Sequence, residues 1–282
     1  MEINCIYNCN YCDITSQIKD ESVDLILTDI PYLISRETRF KEIKNYTKKD
    51  GNSNYYGMSY EFDDTNFSDI ESYIKECCRI LKKGGNLIVW SSWQLMGDLE
   101  ELIRNELGND MREPRIGVWI KNNPLPANVK KKAVNAIEMF ICVAKGVNAT
   151  FNLTPYKNRI LNGKIEVVDA RYDDSSNELE LKNGNLEIKN GTQIFNNKIE
   201  RLVYIEPKVP DIIRIHPTEK PLNIIRHLIE TYSNKGELVY DGLLGSGVTA
   251  QASKITGRNY IGTEINKEYF EKANARLIER NN

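Results

Sequence analysis

The fold is decided by the stretch Val23-Asp24-Leu25-Ile26-Leu27-Thr28-Asp29-Ile30-Pro31-Tyr32. It begins with a short apolar run rich in branched side chains and stops at a proline, which is typical of a buried strand. In α/β sheets, ligands bind outside the carboxyl ends of the strands. We therefore predict that Asp29 and Tyr32 belong to a binding or catalytic site. The alternative is an ordinary strand exit, because Asp and Pro are common turn residues.

The size and charge of the chain narrow its class. Its 282 residues are enough for one large domain or for a domain with an insertion. The net charge of −2 and the pI near 5.9 do not indicate a nucleic-acid binder, so any phosphate-binding surface has to be local. No secretory signal and no apolar run near the ~20 residues that cross a bilayer are present. We expect a cytoplasmic protein with no membrane partner.

The cysteines are expected to be free thiols, because a reducing cytosol is the default for such a chain. Cys9 and Cys12 have the spacing of a zinc-binding pair, and a zinc site is the alternative. However, no second pair follows nearby, and the only histidines are His216 and His227. We therefore predict no metal site.

Apolar runs and amphipathic segments alternate in the first half of the chain and again after Pro221, which predicts a parallel sheet covered by helices. The first part is predicted to be a strand or hairpin at 3–13, a helix at 14–20, strands at 23–28 and 87–90, helices at 69–82 and 94–107, and strands at 116–120 and 137–143. The last part is predicted to be helix 221–233, strand 237–240, a helix ending near 256, strand 260–262 and helix 266–280.

Residues 148–215 follow a different pattern. They contain three Asn-Gly pairs, Asn162-Gly163, Asn183-Gly184 and Asn190-Gly191, and each pair is a strong hairpin-turn signal. Alternating side chains support small, half-exposed β-ribbons. We predict a β-rich insertion at 148–215 in a domain made of 1–147 and 216–282.

A second long polar stretch, residues 33–66, separates the first predicted strand from the first long helix. Its lysines and tyrosines are of the kind that contact a nucleic-acid backbone and stack on bases. Loops of this length are usually functional or disordered. Two interpretations stay open: a flap that contacts nucleic acid and a solvated loop without a ligand.

The turn Asp241–Thr249 is rich in glycine, follows a predicted strand and opens a helix. Glu264 lies at the end of the next strand, where an acidic side chain accepts hydrogen bonds from the ribose hydroxyls of a bound nucleoside. This unit favours a cofactor that contains adenosine. A tight turn without a ligand is the alternative.

These motifs combine with His216-Pro217-Thr218-Glu219-Lys220-Pro221. Together with Asp29–Tyr32 and Asp241–Gly247, this segment resembles the β group of amino-methylating DNA methyltransferases, in content and in order along the chain. Trp119–Pro124 and the segment from Glu138 to Gly146 are also similar to segments of that family. The resemblance implies a Rossmann-like α/β methyltransferase fold with a seven-stranded, mostly parallel sheet, in which 148–215 is the target-recognition insertion.

The resemblance also implies S-adenosylmethionine as the methyl donor. Glu264 would hold its ribose, Lys220 its carboxylate, and Asp13 would lie near its adenine ring. The full set of implied cofactor contacts is Asp13, Asp29, Thr218, Lys220, Asp241, Leu243, Gly245, Ser246, Gly247, Thr249 and Glu264.

The catalytic residues implied are Asp29, Ile30, Pro31 and Tyr32. The lone pair of an exocyclic base amine is delocalised into the ring. A carboxylate from Asp29 and the Ile30 carbonyl, which accept the two N–H bonds, favour a tetrahedral nitrogen that attacks the methyl carbon. Pro31 holds Ile30 extended, and Tyr32 is expected to stack on the base. Because the amine lies inside a duplex, the base has to be flipped out.

Aspartate at position 29 resembles the adenine-N6 enzymes, whereas cytosine-N4 enzymes more often carry serine there. We predict a site-specific adenine-N6 DNA methyltransferase that acts on double-stranded DNA as a monomer or homodimer, with a cognate restriction endonuclease as a further candidate partner. The alternatives are a cytosine-N4 enzyme, an enzyme that methylates RNA or a protein glutamine, and a catalytically impaired DNA-binding relative.

Two positions depart from the family pattern. Ile30 replaces the first proline of Asp-Pro-Pro-Tyr, and Gly242-Leu243 replace Pro-Phe in the cofactor loop. We expect Ile30 to loosen its carbonyl and Gly242 to make the loop more flexible.

Overall fold

The computed structural model describes residues 2–32, 67–124, 134–154, 156, 181–182, 185–186 and 200–278. The strands are β1 Cys5–Tyr7, β2 Val23–Asp29, β3 Leu81–Ser91, β4 Arg115–Lys121, β5 Ile137–Ala144, β6 Leu181–Lys182, β7 Asn185–Leu186, β8 Val203–Glu206, β9 Leu238–Asp241 and β10 Asn259–Thr263. The helices are α1 Tyr11–Thr15, α2 Phe67–Ile80, α3 Met96–Leu107, α4 Leu222–Tyr232, α5 Val248–Thr256 and α6 Lys267–Ile278. This alternation confirms the predicted α/β class.

The main sheet has the strand order β1-β10-β9-β2-β3-β5-β4-β8. All neighbouring strands are parallel except for β5, which runs antiparallel to both β3 and β4. The resemblance implied seven strands, and the described sheet has eight. The additional strand is β8, which pairs with β4 at the edge of the sheet.

Side chains that alternate along the strands build a core on each face of the sheet. Ile26 of β2 packs with α1, α2 and α3 on one face, while Leu25 and Leu27 pack with α4 and α5 on the other. A strand that is covered on both faces reads as a continuous apolar run, as β2 does. A third, smaller cluster joins Ile6 of β1 to Leu277 of α6.

The amino-terminal part differs from the predicted strand or hairpin over 3–13. Only β1 is extended, and α1 begins earlier than the helix predicted at 14–20. The reason is a capping box: Asn10 Oδ1 accepts the Cys12 N–H at 3.2 Å, and Asp13 Oδ2 accepts the Asn10 N–H at 3.2 Å. The exposed Asp13 therefore stabilises the start of a helix.

The two ends of the predicted insertion are attached to the main domain. Asn152 donates from its side chain to the carbonyls of Glu230 and Ser233 at 3.2 and 3.0 Å, and β8 belongs to the main sheet. The predicted boundaries at 148 and 215 therefore enclose residues that are part of the larger fold. The prediction missed β8 because its pairing with β4 joins residues far apart in the sequence.

Within the predicted insertion at 148–215, β6 and β7 are antiparallel and flank Asn183-Gly184, which confirms the hairpin predicted there. The turns predicted at Asn162-Gly163 and Asn190-Gly191, like the 33–66 stretch, lie outside the described residues. In the part of the chain that the structure describes, no helix has the length and apolar character needed to span a membrane. The six cysteines are free thiols, as predicted.

Candidate active site

The site is built where parallel strands end side by side. β9, β2 and β3 are neighbours in the sheet and run in the same direction, so their carboxyl ends share one edge. Asp29 is the last residue of β2, and Asp241 is the last residue of β9. The structure thus brings the Asp29 stretch and the glycine-rich turn to the same side of the molecule.

The carboxyl group of Asp29 has one occupied and one available oxygen. Its Oδ2 accepts a hydrogen bond from Lys220 Nζ. Its Oδ1 is buried and accepts no hydrogen bond from the described residues. Burial is the main cause that raises the pKa of Asp29 to about 6, and the Lys220 charge opposes it. At neutral pH most of this group is therefore an ionised acceptor.

Lys220 is 3% exposed and lies between two carboxylates. Besides Asp29, its Nζ contacts Glu138 Oε2 at 3.1 Å and donates to the Thr218 carbonyl at 3.1 Å. Lys220 therefore links two carboxylates at this edge of the sheet. A cation between two partly buried carboxylates offsets part of the cost of removing them from water.

Glu138 is a residue of the site to which the sequence assigned no role. It lies near the start of β5, and because β5 is antiparallel its first residues reach the edge where the other strands end. Its Oε2 accepts a hydrogen bond from the Tyr32 hydroxyl at 3.0 Å, and its Oε1 pairs with Lys121 Nζ at 2.5 Å. The sequence-based prediction considered residues at the ends of strands, whereas Glu138 lies at the beginning of one.

Ile30 is anchored through its side chain and its N–H. Its side chain is 2% exposed and belongs to the core, and its N–H donates to the Trp90 carbonyl at 3.1 Å. A proline at this position has no N–H to donate. Isoleucine thus allows one more hydrogen bond between the end of β2 and β3, which fixes the Asp29–Ile30 peptide.

The glycine-rich turn has the shape that its glycines permit. Gly245 and Gly247 have φ values of 53° and 78°, which lie in the left-handed region. The Gly245 N–H donates to Glu264 Oε2 at 2.8 Å. A Cβ on Gly247 would lie 2.7 Å from the Cβ of Ala273, so this glycine lets α5 approach α6. The turn and Glu264 therefore form one unit.

Gly242 has a packing role, which the sequence alone did not reveal. A Cβ there would lie 2.6 Å from both Tyr73 Cε2 and Tyr240 Oη. The Gly242 N–H donates to Tyr73 Oη at 2.9 Å, and Tyr73 donates in turn to Thr28 Oγ1 at 2.9 Å. The ring of Tyr73 fills space that a larger residue at position 242 would need.

We expect Gly242→Ala to lower the stability of the protein, because the new methyl group collides with two buried tyrosines. Overpacking of this kind costs about 1–3 kcal/mol. The matched control is Gly97→Ala in α3, where a Cβ meets no atom within 4 Å and alanine favours the helix. Thermal unfolding checks both variants. A Gly242→Ala protein as stable as the Gly97→Ala protein would contradict this packing argument.

The segment His216–Pro221 is anchored at both ends. His216 packs against the ring of Tyr269 with centroids 4.7 Å apart, and its Nδ1 lies 3.0 Å from Thr218 Oγ1. Burial lowers the pKa of His216 to about 4, so the ring is neutral at physiological pH. Glu219 pairs with Arg276 of α6 at 2.6 Å. These contacts place Thr218 and Lys220 beside the glycine-rich turn.

Of the remaining predicted residues, Asp241 ends β9, Ser246 and Thr249 lie at the start of α5, and Asp13 lies in α1, the helix that follows β1. Asp241 is 4% exposed, accepts the Leu243 N–H at 3.2 Å, and has a pKa that burial raises to about 6. Ser246 and Thr249 are both 3% exposed at the start of α5. Asp13 lies in α1, where its carboxyl group takes part in the capping box.

The family model for DNA methylases of the N6/N4 type matches residues 23–275. The chain belongs to this family. Among curated relatives, M.HinfI of Haemophilus influenzae is 27% identical over 93% of this chain, which spans 65% of the relative's length. The DNA adenine methyltransferase YhdJ of Escherichia coli is 27% identical over 93% of this chain and 78% of its own length. The orphan methyltransferase M.BamHII of Bacillus amyloliquefaciens is 28% identical over 92% and 90%.

Solved structures of this family share the fold. The M1.HpyAVI complex with S-adenosylmethionine has a TM-score of 0.62 at 21% identity and covers 97% of this chain and 98% of its own. The cytosine-N4-specific PvuII DNA methyltransferase has a TM-score of 0.63 at 14% identity and covers 98% and 87%. These likenesses confirm the predicted Rossmann-like methyltransferase fold.

The cofactor of the DNA methylase family is S-adenosylmethionine, which confirms that prediction. The residues at the edge fit it chemically. Glu264 accepts one bond from Gly245 and one from the Asn266 N–H at 2.7 Å, and a carboxylate retains further lone pairs for ribose hydroxyls. The glycines leave the backbone of the turn open to close approach.

Proposed function

We propose that this chain methylates the exocyclic N6 of adenine in double-stranded DNA. The observation that carries the proposal is the buried Oδ1 of Asp29, which accepts no hydrogen bond from the described residues. Buried acceptors in folded proteins normally have a donor. An amine with two N–H groups is a donor that suits a carboxylate and a neighbouring carbonyl together.

The residues of this chain act on the amine in a defined way. Asp29 Oδ1 accepts one N–H and the Ile30 carbonyl accepts the other, which favours a tetrahedral nitrogen and orients its lone pair. S-adenosylmethionine, when bound, supplies an electrophilic methyl group on sulfonium sulfur. Asp29 then serves as the nearest base for the proton that the methylated amine releases, because a pKa of about 6 is well suited to that role at neutral pH.

The same reasoning favours the adenine substrate and a flipped base. Tyr32 lies two residues beyond Ile30. Its hydroxyl bonds to Glu138, and its backbone carbonyl accepts from Ser92 Oγ at 3.3 Å. A fixed aromatic ring is a suitable surface for an extruded base. Aspartate at position 29 resembles the adenine enzymes, and YhdJ is named as an adenine methyltransferase.

The test is transfer of a labelled methyl group from S-adenosylmethionine to double-stranded DNA, followed by separation of the nucleosides. N6-methyldeoxyadenosine is the expected product. N4-methyldeoxycytidine would overturn the choice of base. Label that goes to RNA or protein but not to DNA would overturn the choice of substrate. Normal cofactor binding without transfer to any DNA would support an impaired relative.

We propose that recognition of the DNA site lies in residues 157–199, the part of the predicted insertion that remains once β8 and the attached ends are assigned to the main domain. Replacing these residues with those of a relative is expected to change which DNA sites carry the methyl group. Modification-sensitive sequencing of DNA from cells that express each chain measures this. An unchanged set of methylated sites would count against the assignment. Protection of the methylated sites from a nuclease encoded beside this chain would identify a restriction partner.

A further inference from the structure

Glu138 lies in the site, and the proposed mechanism uses it only as the hydrogen-bond partner of the Tyr32 hydroxyl. It is 12% exposed in its side chain and bonds to three groups from three separate parts of the chain. These are the Tyr32 hydroxyl, Lys121 Nζ and Lys220 Nζ. A buried carboxylate with three such partners is costly to desolvate, so its position requires an explanation.

The first partner of interest is Lys220, which Glu138 shares with Asp29. Lys121, Glu138, Lys220 and Asp29 form an alternating row of two cations and two carboxylates. Glu138 attracts Lys220 in the direction away from Asp29. Without this attraction, Lys220 would bind Asp29 alone and compete with a substrate amine for its oxygens.

The second partner is Tyr32. Its hydroxyl donates to the same Oε2 of Glu138 that contacts Lys220, and Lys220 Nζ lies 5.4 Å from the centroid of its ring. The orientation of the ring is thus tied to Glu138 across 106 positions of sequence. A ring that is fixed in advance binds a base with a smaller loss of side-chain entropy.

We propose that Glu138 is a positioning residue that orients the Tyr32 ring for the target base and divides Lys220 between two carboxylates, so that Asp29 remains a strong acceptor. The inference rests on the proposed function. Glu138 touches neither the base nor the methyl group and acts through Tyr32 and Lys220. The charged groups that face Asp29 are Lys220, Glu138 and Asp241, with the Tyr32 hydroxyl beside them.

Two variants separate the two parts of this role. Glu138→Gln removes the charge and keeps an oxygen that accepts from Tyr32. Tyr32→Phe removes the same hydrogen bond and leaves every charge in place. Each variant is compared with the wild type by the pH profile of kcat/KM for DNA, by calorimetric binding of S-adenosylmethionine, and by carbon NMR titration of labelled aspartate carboxyls in the free protein.

For Glu138→Gln we expect a lower pKa of Asp29, because a nearby negative charge is removed and Lys220 turns fully to Asp29. The acid limb of the profile then moves to lower pH. The plateau value of kcat/KM for DNA falls about tenfold, because the tighter ion pair with Lys220 weakens Asp29 as an acceptor. For Tyr32→Phe we expect a higher KM for DNA and no movement of the limb to lower pH. Cofactor affinity changes less than twofold in both.

An Asp29 resonance that titrates at the same pH in Glu138→Gln and in the wild type would overturn the proposal. So would a Glu138→Gln profile that is lowered equally at every pH, since that result indicates a structural role only. The NMR titration does not depend on catalysis. A shifted Asp29 resonance in a protein whose wild type methylates no DNA would leave the positioning role intact and overturn the proposed function instead.

Discussion

Asp29→Ala is expected to abolish methyl transfer while S-adenosylmethionine still binds. The change removes the acceptor that orients the amine and the group that takes up its proton. Losses of catalytic groups of this type reduce rates by about 100-fold to 10,000-fold. The glycine-rich turn and Glu264, to which the family resemblance assigns the cofactor, are on other elements and keep their mutual hydrogen bond. Methyl transfer to DNA and calorimetric binding of S-adenosylmethionine measure the two effects separately.

The variant is expected to fold, because Lys220 keeps Glu138 as a partner and one buried carboxylate is no longer desolvated. Asp110→Ala is a suitable control, since Asp110 pairs with Lys83 at 2.9 Å and is 38% exposed in its side chain. That change should leave both rate and binding unaltered. Turnover of Asp29→Ala at the wild-type rate would remove Asp29 from the mechanism.

Lys220→Met is expected to impair activity and stability together, in a manner that depends on pH. It removes the cation that Asp29 and Glu138 share, and the two carboxylate side chains are only 25% and 12% exposed. Leaving a buried charge without its partner costs about 3–5 kcal/mol. Because the Lys220 charge lowers the pKa of Asp29, its loss raises that pKa above about 6. The acid limb of the activity profile therefore moves to higher pH.

The sign of the stability effect follows from the same pKa. A carboxyl group whose pKa is raised on folding contributes stability below its unfolded pKa and loses that contribution as the pH rises through its folded pKa. In the variant the folded pKa of Asp29 is higher still, so the loss is larger at neutral pH. The difference in Tm between wild type and Lys220→Met should widen from about pH 5 to about pH 8.

Lys75→Met provides the control for this experiment. Lys75 also pairs with a carboxylate, Glu71 at 2.9 Å, but its side chain is 48% exposed. Exposed pairs contribute little to stability, so this variant should track the wild type at every pH. A difference in Tm for Lys220→Met that stays constant with pH would show that the lysine acts through packing and not through its charge.

The parts of the site that depend on local pattern were predictable. An apolar run that stops at Asp29 and a glycine-rich turn before a helix are features of neighbouring residues, and both were placed at strand ends as expected. The helices and most strands lie within a few residues of their predicted bounds. Local sequence encodes burial and chain direction well, because both follow from side chains a few positions apart.

The parts that depend on distant partners were not predictable. The pairing of Lys220 with Asp29 joins residues 191 positions apart, and β8 joins the sheet through β4. Gly242 reads as a flexible residue until Tyr73 is placed against it. Each of these cases needs the neighbour in space before the residue can be interpreted.

The cluster that joins Ile6 of β1 to Leu277 of α6 bears on the chain connectivity of this fold. The beginning of β1 and the end of α6 both lie at the edge of the sheet where the parallel strands begin, opposite the edge that carries Asp29. This follows because β1 is parallel to β10 and α6 runs back from the end of β10. A short linker could join them, and the polypeptide could be opened elsewhere without disturbing the reaction centre. Shuffled gene orders could thus yield the same three-dimensional arrangement of catalytic parts.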